Sequence, residues 1–235
     1  MIMLKFRLQG IDTDLEIELK RSKEYYDWRN EGKPKDLQTE IIFCNDIDAC
    51  PVGTVEWINE ILGNQKPLVP PKEWVWNKNI YGTRGGIFTG SRVPVDIDSK
   101  WVYLKSATII KSEENGWYRP GQEVKEDTYV WREQFPSPIL GEFRVFLGRD
   151  GQILDIRNYE GYTVWPDIHE VIEKADLIFN HYKRAITFDV VVLETGTHLL
   201  EVHDYFALGL YGFNNRARLP FLVWDWWCYG SRIHK

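Results

Sequence analysis

The residues best spaced to do chemistry lie between Ile186 and Phe213, in the stretch ITFDVVVLETGTHLLEVHDYFALGLYGF. Asp189 interrupts an apolar run from Ile186 to Leu193, and Glu201 interrupts Leu199, Leu200 and Val202. Taking a carboxylate out of water costs several kcal/mol even after relaxation, so a cation is expected beside each acid. A three-residue turn, Glu194, Thr195 and Gly196, with glycine in the left-handed position, would set Leu193 opposite Thr197, Val191 opposite Leu199 and Asp189 opposite Glu201. His203 then shares the face of Glu201 by strand alternation, and Asp204 follows as the strand ends. Like charges opposed across a bare sheet repel, so this pairing fits a bound divalent ion. Oxygen ligands with one imidazole suit magnesium or manganese. The alternative is that either acid faces solvent at a sheet edge or pairs with an arginine.

Candidate cations come from two other segments. Glu142 to Leu147 and Gln152 to Asn158 flank Asp150 and Gly151, the strongest short hairpin signal in the chain. A two-residue loop there pairs Arg149 with Gln152 and, counting back, Arg144 with Arg157. Two guanidinium groups on one face repel unless an anion lies between them or each has its own acid, such as Glu142. The guanidinium fork fits phosphate oxygens. Trp101 to Ile110 reads as a strand with Trp101, Tyr103 and Lys105 on one face. Lys105 is then a cation on a rigid element among aromatics, able to snorkel to solvent or to face a ligand. Carboxylates that hold magnesium, with lysine and arginine to neutralise phosphate oxygens, are the means of positioning a nucleoside triphosphate. The sequence carries no Walker motif and no protein-kinase motif set.

Elements that must position these groups follow from pattern and punctuation. Met3 to Leu8 and Leu15 to Leu19 alternate around turn residues and predict an opening β-hairpin. A short helix is expected within Ser22 to Lys35, a strand at Glu40 to Cys44, and a helix through Val55, Ile58, Ile61 and Leu62 that stops at Gly63. Prolines keep Gln65 to Pro71 irregular. Tyr81 to Arg92, YGTRGGIFTGSR, reads as a mobile glycine-rich loop, since it lacks the ending of a phosphate cradle. The change in texture after Arg92 places a domain boundary there, giving an N-terminal α/β unit over 1–92 and a second domain over 93–235. Thr128 to Gln134 is a further strand. Asp167 is an N-cap for a helix whose inward face is Ile168, Val171, Ile172, Ala175 and Ile178. LPFLVWDWWCYG near the end, with Asp225 inside it, reads as a packed terminal helix.

Composition narrows the class. A chain of 235 residues with 43% hydrophobic and 27% charged residues is an ordinary globular protein of one large or two modest domains. Its net charge of -6 argues against nucleic acid as the main partner. Cys44, Cys50 and Cys228 have no paired spacing, which argues against a disulfide framework or a zinc site. Lys5 and Arg7 break the first apolar run, and no stretch is long and apolar enough to span a membrane, so the expected compartment is the cytoplasm.

Taken together, CPVGTVEWI at Cys50 to Ile58, WVYLK ending at Lys105, EQF at Glu133 to Phe135, GEFRVF at Gly141 to Phe146, and the FDVVV and LLEVHDYFALGLYG strands resemble the ATP-grasp superfamily. Within it they resemble the clade, common in phage and bacterial genomes, named for one characteristic arginine and two lysines. The resemblance runs from about Pro51 to Phe213. It implies an α+β fold in which ATP lies between two α+β lobes, after a smaller N-terminal α/β region. It also implies that Lys105 and Lys111 contact phosphates, that the backbone of Glu133, Gln134 and Phe135 recognises adenine, and that Arg144 binds the transferring phosphate or the substrate acid. Glu142 and Arg157 are counted with the nucleotide-binding residues, and Asp189 and Glu201 as magnesium ligands. The family's third metal ligand is usually an asparagine where this chain has His203, which leaves His203 and Asp204 as alternatives. The implied reaction is ATP-dependent joining of a small-molecule or peptide carboxylate to an amine through an acyl phosphate. The competing expectation is a catalytically degenerate module that binds nucleotide, carbohydrate or peptide, since the chain holds 11 Trp and 12 Tyr.

Overall fold

The computed structural model describes residues 1–161 and 164–233, with side chains through residue 229. Strand β1 (Ile2–Leu8) runs parallel to both β2 (Thr39–Phe43) and β3 (Cys50–Val52), in the order β2-β1-β3. The expected opening hairpin is replaced by a long helix, α1 (Asp14–Asn30), which also absorbs the short helix expected after Ser22. Its start is a capping box. The Glu16 amide donates to Thr13 Oγ1 at 3.3 Å, and the Glu16 carboxylate accepts from the Thr13 and Gly10 amides at 3.1 and 2.7 Å. Leu15, Leu19, Ser22 and Tyr26 are the buried stripe. Leu15, Ile17 and Leu19 alternate over too few residues to separate a strand from two turns of this stripe. Helix α2 (Val55–Leu62) is capped by Thr54 and stops at Gly63, whose φ of +79° is the left-handed value expected of a terminating glycine. The terminal helix α6 (Leu219–Ile233) forms as expected, and its Leu219, Leu222, Val223 and Trp226 share a core with Leu4, Phe6, Leu19 and Ile58. The two ends of the chain thus complete one hydrophobic unit. Among the described residues no helix is long and apolar enough to cross a membrane, and no disulfide joins the cysteines.

Two one-turn helices, α3 (Lys72–Val75) and α4 (Lys78–Tyr81), lead into an antiparallel sheet built from β4 (Gly85–Arg92), β5 (Val102–Ser106), β6 (Gly116–Tyr118) and β7 (Glu123–Glu133) in the order β4-β7-β5-β6. The segment expected to be a mobile loop is therefore mostly strand. Its glycines are there for close approach: a Cβ on Gly86 would lie 2.7 Å from Trp131 Nε1, and one on Gly85 2.7 Å from the Trp131 carbonyl. Because β4 pairs with β7, a division after residue 92 falls within the span of one sheet. Beyond β5 the chain turns sharply, and Asp127 secures the turn. Its carboxylate accepts from Ser106 Oγ and Thr108 Oγ1, both at 2.6 Å, and from the Thr128 amide at 2.7 Å. Ser106 Oγ in turn accepts the Thr108 and Ile109 amides.

The third sheet is antiparallel, with β8 (Gly141–Leu147), β9 (Ile153–Glu160), β10 (Ile186–Leu193) and β11 (Gly196–His203) in the order β11-β10-β8-β9. Helix α5 (Ile168–Tyr182) begins at the expected Asp167 cap, whose carboxylate accepts the His169 amide at 2.8 Å. It buries Val171, Ala175 and Ile178 against Val145, Phe188 and Val190. Ile168 and Ile172 are not part of that face, being 48% and 43% exposed, while Lys174 lies on it. The helix is rotated so that Val171, Ala175 and Ile178, at i, i+4 and i+7, alone meet the strands.

Burial works to raise the Asp127 carboxyl, but its hydrogen bonds outweigh that and hold it below the ordinary value. Asp127→Ala is expected to cost about 1–3 kcal/mol and to speed amide exchange at Thr108 and Ile109. A carboxyl held low contributes its stability above the unfolded value of about 3.9 and loses it as pH falls. Urea titrations should therefore show the difference between wild type and variant in full at neutral pH and shrinking in acid.

Candidate functional site

Register in the third sheet gathers four charged residues into one row. Glu201 pairs with Asp189, Asp189 with Arg144, and Arg144 with Arg157, so the row crosses β11, β10, β8 and β9 in that order. Paired residues project to the same face, and this face is opposite the one covered by α5, since Phe188 and Val190 take the helix side. Both expected pairings are present, although the turns differ from those predicted. The β10–β11 connection is the two residues Glu194 and Thr195, with Leu193 paired to Gly196, and a bulge beside Asp189 restores its pairing with Glu201. The β8–β9 connection is longer than the two residues expected, with Leu147 paired to Ile153, and a bulge after Phe146 restores Arg144 opposite Arg157.

Arg144 is the cation beside Asp189. Its Nε and one Nη each donate to a different Asp189 oxygen at 2.8 Å, and its other Nη donates to the Gly209 carbonyl at 3.1 Å. Burial alone would raise Asp189, but the hydrogen bonds and charge of Arg144 and His203 hold it well below the usual carboxylate range. His203 Nε2 sits between the acids, 2.8 Å from Glu201 and 3.3 Å from Asp189. Burial pushes His203 down despite the pull of Asp189, and the charges of Lys105 and Arg144 push the same way. A neutral imidazole offers a lone pair. Glu201 also pairs with Lys105, which reaches across from β5 of the second sheet. Burial lowers Lys105 to about 8, opposed by Asp189 and aided by Arg144 and Arg132. Arg157, in contrast, turns to Asp155 at 2.6 Å.

Asp189, Glu201 and His203 each present a donor atom, and these lie within 4.8 Å of one another. Two carboxylates and an imidazole are a donor set that suits magnesium or manganese. Asp204 is committed elsewhere, paired at 2.8 Å with the buried Arg184, so of the two alternatives His203 is the one placed with the acids. Lys105 and Glu201 stand where two cavities meet. One, of about 470 Å³, is lined by Leu68, Val130, Leu200 and Val202 and by Lys105, Arg132, Glu142 and Glu201. The other, of about 460 Å³, is lined by Lys105, Lys111, Arg144, Glu201, His203, Asp204 and Tyr211. Together they make a cleft of the size that takes small ligands, with an apolar end and a charged end. Lys111 reaches toward Glu56 of α2 at 3.7 Å. Glu133, Gln134, Phe135 and Arg157 line neither cavity; the Gln134 carbonyl instead accepts Thr83 Oγ1 at 3.4 Å.

Arg132 is a cleft residue that sequence reasoning missed. Its guanidinium lies over Phe135, Tyr103 and Trp117 at 4.4, 5.3 and 5.9 Å, and one buried Nη has no hydrogen-bond partner among the described residues. The signal was an arginine beside Trp131 and near Phe135, but aromatic neighbours in sequence do not reveal a shared cavity. Tyr159 was also missed. It donates to Glu142 at 2.8 Å and stacks on Tyr211 at 4.9 Å between ring centres. Tyr211, with φ of +48°, also faces the Arg144 guanidinium at 5.1 Å.

Comparison with known proteins agrees with this architecture. A RimK domain ATP-grasp protein from Sphaerobacter thermophilus superposes with a TM-score of 0.57 at 13% identity, over 95% of this chain and 99% of that one. D-alanyl-alanine synthetase A from Vibrio cholerae gives a TM-score of 0.50 at 12% identity, over 100% and 99%. At such identities the likeness is one of fold. A search of curated protein sequences finds no match. The model of an ATP-grasp domain, the second family of the clade named for one arginine and two lysines, matches residues 98–219, a span that holds every strand of the charged row and Lys105 as well. That span is more than half of the chain, which therefore has the ATP-grasp fold and belongs to this second family of the arginine-and-two-lysine clade.

Proposed function

We propose that this chain is an ATP-dependent ligase that joins a carboxylate to an amine through an acyl phosphate. The observation that carries the proposal is the charged row itself: two acids and two arginines on one rung, with Lys105 laid over the acidic end from the facing sheet. That set can neutralise a triphosphate and hold its metal. The apolar cavity beside Leu68, Val130 and Val202 suits a nucleobase, and the charged one beside Arg144 and Lys111 suits the acceptor acid. The printed activity of the Vibrio relative, a D-alanyl-alanine synthetase, is of this kind.

In this reading Asp189, Glu201 and His203 would hold magnesium, which when bound neutralises charge on the phosphate oxygens that it bridges. Lys105 moves from Glu201 to the terminal phosphate, and Arg144 shares its N–H groups between Asp189 and the reacting oxygens. Exchange of partners is required, since Lys105 and Arg144 already hold the acids that the metal needs. A substrate carboxylate oxygen attacks the γ-phosphorus and ADP leaves. The amine nitrogen then attacks the acyl carbon, gives up a proton, and inorganic phosphate departs with the C–O bond pair. The residues supply alignment and charge, which is where catalysis of phosphoryl transfer resides.

Two outcomes test this. With magnesium and a non-hydrolysable ATP analogue at about a hundredfold excess over Kd, the chain gains about 2.7 kcal/mol, a Tm rise of roughly 5–10 °C for its size. Either component alone should give little, because it would strand the opposite charges. Lys105→Ala should abolish the shift with the fold intact; Asp189→Asn should in addition cost about 3–5 kcal/mol of stability, because it leaves Arg144 buried and unpaired. No shift in the wild type would remove the nucleotide from the proposal. For the chemistry, hydroxylamine offered as the amine should trap a hydroxamate from the accepted acid together with ADP. A stable phosphorylated product, or ADP release with every acid and no hydroxamate, would contradict ligation.

A further inference from the structure

A cavity of about 670 Å³ lies away from the cleft and shares no lining residue with it. It opens between α1, α6 and the β8–β9 turn. Its apolar wall is formed by Tyr26, Leu154, Phe221 and Leu222. Three arginines from three separate elements stand around it: Arg29 from α1, Arg149 from the β8–β9 turn and Arg218 at the start of α6. Asp225 is the carboxylate among the lining residues, and both of its oxygens are engaged. Oδ1 lies 3.3 Å from Arg149 Nε, and Oδ2 accepts the Ala185 amide at 3.2 Å. Arg29 donates to Tyr25 Oη at 2.9 Å, and among the described residues neither Arg29 nor Arg218 is in an ion pair. Three guanidinium groups thus face one carboxylate, an excess of two positive charges in a chain whose net charge is -6.

Like charges from separate elements repel when gathered without counter-ions, and guanidinium forks match phosphate and carboxylate oxygens bidentately. We infer that this cavity binds a small organic dianion, with its apolar body against Tyr26, Phe221 and Leu222 and its charged head between Arg29, Arg149 and Arg218. The size of the cavity fits such a ligand, and the excess charge sets its valence. A phosphomonoester and a dicarboxylate share this chemistry. Because the site lies on the helices that join the two ends of the chain, its occupancy is independent of the cleft residues.

Calorimetric titration of the full chain with phenyl phosphate, isophthalate and benzyl alcohol tests the inference. At least one dianion should bind saturably at millimolar concentrations, and the neutral alcohol should not. Binding of phenyl phosphate alone identifies a phosphomonoester site, and binding of isophthalate alone a dicarboxylate site. Arg29→Gln with Arg218→Gln should weaken binding by about tenfold or more while circular dichroism stays unchanged, since both side chains are exposed and outside ion pairs. Lys105→Ala should leave it unaltered. Affinity that survives the double variant, is lost with Lys105→Ala, or is matched by benzyl alcohol overturns the assignment, as does the absence of saturable binding by either dianion.

Discussion

Everything at the cleft depends on the contact between Lys105 and Glu201. It is the point where the sheet carrying β5 meets the sheet carrying β11, and it terminates the charged row that runs through Asp189 and Arg144 to Arg157. An ion pair at such a place is held by its surroundings more than it stabilises them, because desolvation offsets much of the attraction. Its value lies in being exchangeable. Both of its ends, and both ends of the Arg144–Asp189 pair beside it, have the chemistry to prefer another partner: a phosphate for each cation and a divalent ion for each acid.

Surrounding structure explains how such a row is tolerated. On the far face of the sheet, Val145, Phe188 and Val190 are sealed by Val171, Ala175 and Ile178 of α5. On the near face, Phe146 stacks on Phe213 at 4.3 Å, and Tyr205 is fully buried with its hydroxyl on the Leu147 carbonyl at 3.3 Å. Tyr205 is therefore part of the core, while Tyr211, stacked on Tyr159 and facing Arg144, borders the charged cavity. The chain between β11 and α6 passes over the row, and its Gly209 carbonyl takes the Arg144 N–H that Asp189 does not.

Much of this was legible in the sequence, for reasons that can be separated. Alternation assigns each strand residue to a face regardless of the turn, so Asp189 opposite Glu201 and Arg144 opposite Arg157 could be read although both loops were misjudged. Bulges beside Asp189 and Phe146 absorb the difference in loop length. What local pattern could not give was which hairpins adjoin. The pairing of β10 with β8 turns two separate charge pairs into one row, and it makes Arg144 the partner of Asp189. The opening helix was misread because Leu15, Ile17 and Leu19 fit both periods, and Thr13 with Glu16 decided the matter. Arg132 gave no signal because its cavity is assembled by distant strands.

The central claim is that nucleotide and metal bind by taking over the partners of these ion pairs. A crystal structure with magnesium and a non-hydrolysable ATP analogue tests it directly. The account predicts Lys105 on the terminal phosphate, with Asp189, Glu201 and His203 around the ion and Asp204 still on Arg184. Nucleotide bound with Lys105 remaining on Glu201, or a metal held by other residues, would contradict it.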